Sequence, residues 1–249
     1  MSTLEPKSGG RNLLVDEVYA AIKDAIQTMT LAPGVALVES RLAAQLNVSK
    51  TPIREALGRL AQEGLTEAAA FRGYRVTKFT GADVRSIMEL RSVLEGLAAR
   101  RACKAMPEEA LELLARTTSL AEQERERENW SSVSILVHQV HNLIHENCGD
   151  ARLTTMIGVL DGQFERARFA MPVTSFRLVK SVQEHSLLSL AIQTRNGHLA
   201  ESIMRDHLVA LIDKIDLDAA LRQTDIKRTS LAEIARNRPL SKSGQTGVC

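Results

Sequence analysis

Only 3% of the 249 residues are aromatic. Together with abundant Leu, Ala, Glu and Arg, this scarcity favours helices over sandwiches or barrels. Cysteine is equally sparse: Cys103, Cys148 and Cys249 are too few and too far apart for a zinc knuckle or a disulfide framework. They read as reduced thiols, with Cys103 and Cys148 as small core residues. No apolar run approaches the roughly 18 residues of a membrane span, and the opening Met-Ser-Thr-Leu-Glu-Pro-Lys-Ser-Gly-Gly lacks a signal core. The expectation is a soluble cytoplasmic protein with no membrane partner. A formal charge of +2 advertises no global attraction to nucleic acid. Catalytic signatures are missing too. His145-Glu146 lacks the second histidine of His-Glu-x-x-His, and there is no Gly-x-Ser-x-Gly elbow, Walker loop or dinucleotide fingerprint. The chain is therefore not expected to be an enzyme. With 44% hydrophobic residues it holds enough apolar surface for one or two domains.

What is present is concentrated between Val48 and Leu65. Thr51 is a candidate cap, Pro52 suits the first helical position, and Gly64 supplies a stop. Ile53, Ala56, Leu57, Leu60 and Ala61 recur at helical spacing, while Lys50, Arg54 and Arg59 project from the other side. A shorter helix, 39–46, precedes it, with Leu42, Ala43 and Leu46 inward and Asn47 suited to a left-handed turn. Such a pair is a helix-turn-helix or an ordinary packed helix pair. Residues 65–79 then predict two short strands about an Arg72-Gly73 turn, the wing of a winged helix, which favours the first alternative. Between 50 and 78, six cations face only Glu55, Glu63 and Glu67. A supporting helix is predicted over 13–29, ended by Leu31-Ala32-Pro33-Gly34.

The run Ser-Lys-Thr-Pro-Ile-Arg-Glu-Ala-Leu, the following Glu-Gly-Leu and the Arg-Gly of the wing resemble the DNA-binding domain of GntR-family transcriptional regulators. The resemblance implies that Ser49, Lys50, Thr51 and Arg54 meet phosphates and base edges in the major groove, and that Arg72 and Gly73 reach the minor groove. The family often carries an arginine directly after the acidic residue opening the preceding helix. Here that place is Ser40, with Arg41 following as the candidate phosphate contact.

Beyond Thr80-Gly81 the texture becomes helical, and six helices are predicted: 82–105, 107–128, 131–147, 151–170, 178–195 and 198–223. The expected organisation is an arm over 1–11, a winged helix-turn-helix over 12–79, an all-helical domain over 80–225 and a polar tail over 226–249. The fold class is thus mostly α, a small β wing in an N-terminal head followed by an all-α bundle of about six helices.

On these helices His185 falls among Leu178, Val182, Leu188 and Ile192, and His207 among Ala200, Ile203, Met204 and Leu211. His141 edges the stripe of Val133, Val137, Val140 and Ile144, whereas His138 and His145 point further toward solvent. Three interior histidines on three helices are either hydrogen-bonded core residues or ligands for an ion of Zn or Ni type. Arg91 lies beside an apolar stripe, where it pairs with Glu95 at i+4 or grips an effector carboxylate as a fork. The order His141, Gly149-Asp150, Glu184-His185 and His207-Leu208 is similar to the FCD domain of the FadR subfamily, many members of which hold a metal with one aspartate and three histidines. The aspartate's place is Val137 here, so the resemblance carries over to His141, His185 and His207 alone. It also implies small organic acids as effectors. The whole predicts a homodimeric regulator of a palindromic operator, a repressor released by an organic acid bound near Arg91. The alternatives are a metal-dependent enzyme acting on a small carboxylic acid, and a metal-independent sensor.

Overall fold

The computed structural model describes residues 9–69, 73–170 and 175–210. They form two compact units, which divide between Phe79 and Thr80, with Glu165–Ala170 grouped in the first.

In the first unit, α1 (Gly9–Gln27) buries Val18, Ile22, Ala25 and Ile26 completely. It begins inside the stretch expected to be an arm. Helix α2 (Glu39–Leu46) ends on Asn47, whose φ of 54° allows its N–H to close back on the Ala43 carbonyl. The predicted turn residue is thus the one used. Helix α3 (Lys50–Gln62) starts earlier than Thr51 and Pro52 suggest, because Ser49 takes the extended cap position. Pro52 is the third helical residue, still within the first turn, where N–H groups lack intrahelical partners and its missing donor costs nothing. Ile53, Ala56, Leu57 and Leu60 have no solvent exposure and form one core with Val18, Ile22 and Leu42. Gly64, at φ 71°, ends the helix.

The wing holds one strand more than expected. β2 (Thr66–Ala69) and β3 (Gly73–Val76) pair antiparallel, and β1 (Ala36–Leu37) adds to the other edge of β3, pairing Leu37 with Tyr74. A strand of two residues carries no visible alternation, so it is invisible in sequence. The Thr66 hydroxyl donates to the Leu57 carbonyl and fastens β2 to α3.

The second unit opens with α4 (Gly81–Ala105), begun by a reciprocal capping box between Thr80 and Asp83. There follow α5 (Glu108–Glu126), α6 (Trp130–Glu146), α7 (Ala151–Ala170), α8 (Ser175–Gln193) and α9 (Gly197–Val209). The last was predicted to continue to 223, and its remainder lies outside the described residues. Helices α4 and α9 pack most closely: a Cβ on Gly96 would sit 2.7 Å from Arg205 Cγ. Both lie beside α8, and α5 packs on α6 and α8. A mostly α chain, with a winged helix-turn-helix ahead of a helical bundle, is the architecture found. Among the described residues no helix is long and apolar enough to cross a membrane.

Candidate functional site

His141 on α6, His185 on α8 and His207 on α9 do converge. Their ring centroids are 4.9 Å (His141 to His185), 4.6 Å (His185 to His207) and 5.3 Å (His141 to His207) apart. All three are at least 92% buried by residue, with 8%, 2% and 4% exposure respectively. One nitrogen of each ring lies within 4.8 Å of one from each of the others.

Every ring is also tied back from behind. His141 Nδ1 lies 2.7 Å from Glu95 Oε2, His185 Nδ1 lies 2.7 Å from the Ser181 carbonyl, and His207 Nδ1 lies 2.6 Å from Glu184 Oε2. A carbonyl only accepts, and so does an ionised carboxylate; each Nδ1 therefore carries a proton, and a ring that is neutral keeps its lone pair on Nε2. His141 Nε2 and His185 Nε2 stand 2.9 Å apart. Two lone pairs at that separation repel unless a cation lies between them. A proton is a poor candidate, because burial lowers His141 to about 4, Glu95 only partly opposing it, and burial holds His185 well below its ordinary value. Neutral imidazoles with free Nε2 atoms, each oriented by an outer acceptor, fit a Zn- or Ni-type ion. Val137, in the place of the family's aspartate, packs instead with Val133, Leu136, Leu178 and Val182.

Glu95 is the residue that sequence did not single out in this role. It has no solvent exposure. Burial alone would raise its pKa, but the Arg91 guanidinium and the donated ring N–H groups reverse that and hold it well below the carboxylate range. Arg91 Nε binds Glu95 Oε1 at 2.7 Å, and Arg91 Nη2 reaches Asp161 at 3.0 Å. The i+4 ion pair foreseen for Arg91 is therefore present, with a second carboxylate added from α7. His145 corrects an expectation: it is 7% exposed rather than solvent-facing, and its Nε2 shares Glu95 Oε2 at 2.9 Å. Its burial follows from a partner 50 residues away on α4, which helical periodicity cannot reveal. Glu184 is held low in turn, burial being outweighed by His207 and Lys180.

On the first unit Arg41, Ser49, Lys50, Thr51 and Arg54 are all exposed. Arg54 forks onto Glu39, Nε to Oε1 at 3.0 Å and Nη2 to Oε2 at 2.7 Å, while its side chain stays 67% exposed. Arg59 is turned away by Asp16 and stacks on Tyr19, its guanidinium carbon 4.1 Å from the ring centroid. Gly73 takes φ 85° against the Leu37 carbonyl. Arg72 lies outside the described residues.

Residues 14–76 match the family model described as bacterial regulatory proteins, gntR family, and residues 86–210 match the FCD domain. An HTH-type transcriptional regulator in an unstable DNA locus of Streptomyces ambofaciens is 30% identical over 200 residues, 80% of this chain and 84% of the relative. The HTH-type transcriptional repressor RspR of Escherichia coli K12 is 26% identical over 217 residues, 86% and 93% of the two chains. The solved structure of E. coli McbR/YncC shares the fold with a TM-score of 0.66 at 20% identity, covering 80% of this chain and 96% of that one.

Proposed function

The chain belongs to the GntR family of bacterial regulatory proteins and carries an FCD domain, and from that premise we propose that it is a cytoplasmic, homodimeric repressor whose helical domain holds a divalent ion on His141, His185 and His207 and answers to a small organic acid. The observation that carries the metal reading is the 2.9 Å approach of two Nε2 atoms whose protons are committed elsewhere.

A bound ion would supply a Lewis-acidic point for an effector carboxylate. The protein's own residues do the rest. Glu95 and Glu184 hold the rings of His141 and His207 and balance charge in a buried site. Arg91 joins this network through Glu95, and its outer pair with the 22% exposed Asp161 is the one an entering carboxylate would replace. Such a replacement acts on α4, the first helix after the wing, and so gives an effector a means of preferring one arrangement of the protein over another.

In the head, Ser49, Lys50, Thr51 and Arg54 would enter the major groove of a palindromic operator, with Arg41 on phosphate and Arg72 and Gly73 at the minor groove. Before DNA arrives, the Arg54 fork is paired with Glu39, a contact that a base or phosphate would replace.

Elemental analysis of freshly purified protein, beside a His207→Ala variant, tests the centre. About one ion per chain, lost in the variant, is expected. Wild-type protein with no metal, and with none taken up on dialysis against Zn²⁺ or Ni²⁺, would leave the histidines as core or direct effector contacts.

A further inference from the structure

A second site lies in the helical unit, formed by different residues. The last turns of α4, the α6–α7 corner and the α8–α9 corner enclose a cleft of about 570 Å³. Its walls carry Arg100, Arg101, Lys104, Arg195 and His198, and no carboxylate. We propose that this cleft binds a phosphate-bearing small molecule.

Arg100, Arg101 and Lys104 share one helical turn, and Arg100 and Lys104 are like charges at i and i+4, an arrangement that by itself costs stability. The partial compensation comes from outside the lining. Arg100 pairs with Glu201 at 2.9 Å, Arg101 reaches Asp150 at 3.5 Å, and Arg195 lies 3.8 Å from the exposed Glu108. Among the described residues Lys104 has no carboxylate partner. Arg195 also donates to the Cys103 and Met106 carbonyls, both at 3.1 Å, which neutralises the negative end of α4. The end of α4, one of the helix C-termini at the cleft, is therefore covered by a cation. Meanwhile α9 begins at the cleft and turns the positive end of its dipole toward it.

Glycines draw the walls together. A Cβ at Gly197 would sit 3.1 Å from Arg100 Cγ, and one at Gly149, already at φ 70°, would sit 2.9 Å from the Ala105 Cβ. Three guanidinium groups and an ammonium group about one opening suit an oxyanion with several acceptor oxygens and more than one charge better than a single carboxylate. The volume lies within the usual range for drug-sized and cofactor-sized ligands, so an organic phosphate fills it better than a bare ion.

The experiment is calorimetric titration of the full chain with adenosine 5′-monophosphate and, separately, inorganic pyrophosphate, at about 0.15 M NaCl to screen diffuse attraction. Saturable binding at one site per chain is expected, weakened about tenfold by Lys104→Glu and retained by His207→Ala, which separates the cleft from the histidine centre. Binding of both probes marks an organic phosphate as the ligand, and pyrophosphate alone marks an inorganic one. No saturable binding of either probe overturns the proposal. So does binding that Lys104→Glu leaves unchanged while its thermal unfolding matches wild type. Arg101→Glu, also at an exposed position, serves as the second variant if Lys104→Glu fails to fold.

Discussion

Glu95 and His141 are joined by a 2.7 Å hydrogen bond between a carboxylate with no solvent exposure and a ring nitrogen on a different helix. That bond sets the His141 tautomer, and the same carboxylate anchors Arg91 and His145. A single side chain thus links the two sets of residues that sequence had suggested separately, the histidines and the arginine.

Glu95→Ala would remove the 2.7 Å ion-pair partner of the buried Arg91. Loss of one partner from such a buried pair costs about 3 to 5 kcal/mol. Urea unfolding of the metal-free protein should show it as a lowered midpoint with an unchanged slope. Glu95→Gln retains an acceptor but not the charge, and is expected to weaken metal retention about 10- to 100-fold, as loss of an outer partner does elsewhere. Chelator competition that finds equal retention would mean that Glu95 does not orient a ligand.

Stability of the metal-free protein should fall as pH drops from 6.5 to 4. Folded His141 takes a proton only near 4, against 6.5 for the ordinary side chain, so the unfolded chain binds more protons across that window. His185 is shifted the same way, and Glu95, held low when folded, extends the loss below the ordinary carboxylate value. For His141 alone the change is about 3 kcal/mol. Unfolding free energies measured at pH 7.5 and 5 that agree within error would contradict the buried, neutral histidines.

Arg54→Ala should cost about 1 to 3 kcal/mol on the cognate operator if the guanidinium reads a base, with little change on unrelated DNA. If it touches phosphate alone, binding weakens equally on all sequences and the salt slope drops by about one unit. Filter binding across a salt series separates the two, and no effect on either DNA would remove Arg54 from the interface.

Gly73→Ala places a Cβ at φ 85° and 3.2 Å from the Leu37 carbonyl. A left-handed non-glycine residue costs roughly 1 to 2 kcal/mol, and the loss should appear in the unfolding of the winged unit. A thermal melt identical to wild type would show that the wing relaxes around the change.

The local features were legible in the sequence because short-range chemistry decides them. Asn47, Gly64 and the apolar spacing of Ile53, Ala56, Leu57 and Leu60 delimit α2 and α3 without reference to anything distant. The convergence of His141, His185 and His207 was legible as well, since each lies on or beside an apolar stripe. Glu95 and His145 were not. Glu95 reads as no more than the i+4 partner of Arg91 and His145 as an off-stripe histidine, and their burial depends on contacts between helices, Glu95 with His141 and His145 on α6. Strand β1 escaped for another reason: its two residues are ordered by pairing with β3, not by a pattern of their own.

The close packing of α4 on α9, which leaves no room for a Cβ at Gly96, has a consequence for the order of synthesis. Glu95 comes early in the helical unit and His207 near the end of its last described helix, so the two halves of the centre are separated by most of the unit's length. Contacts of such long sequence separation form late, after a large loop has closed. A ribosome must release α9 before the pocket can exist, whereas the residues from Gly9 to Val76 that build the winged head emerge first. A chain cut short before His207 would keep the residues of the winged head and lack one of the three histidines that converge in the helical unit.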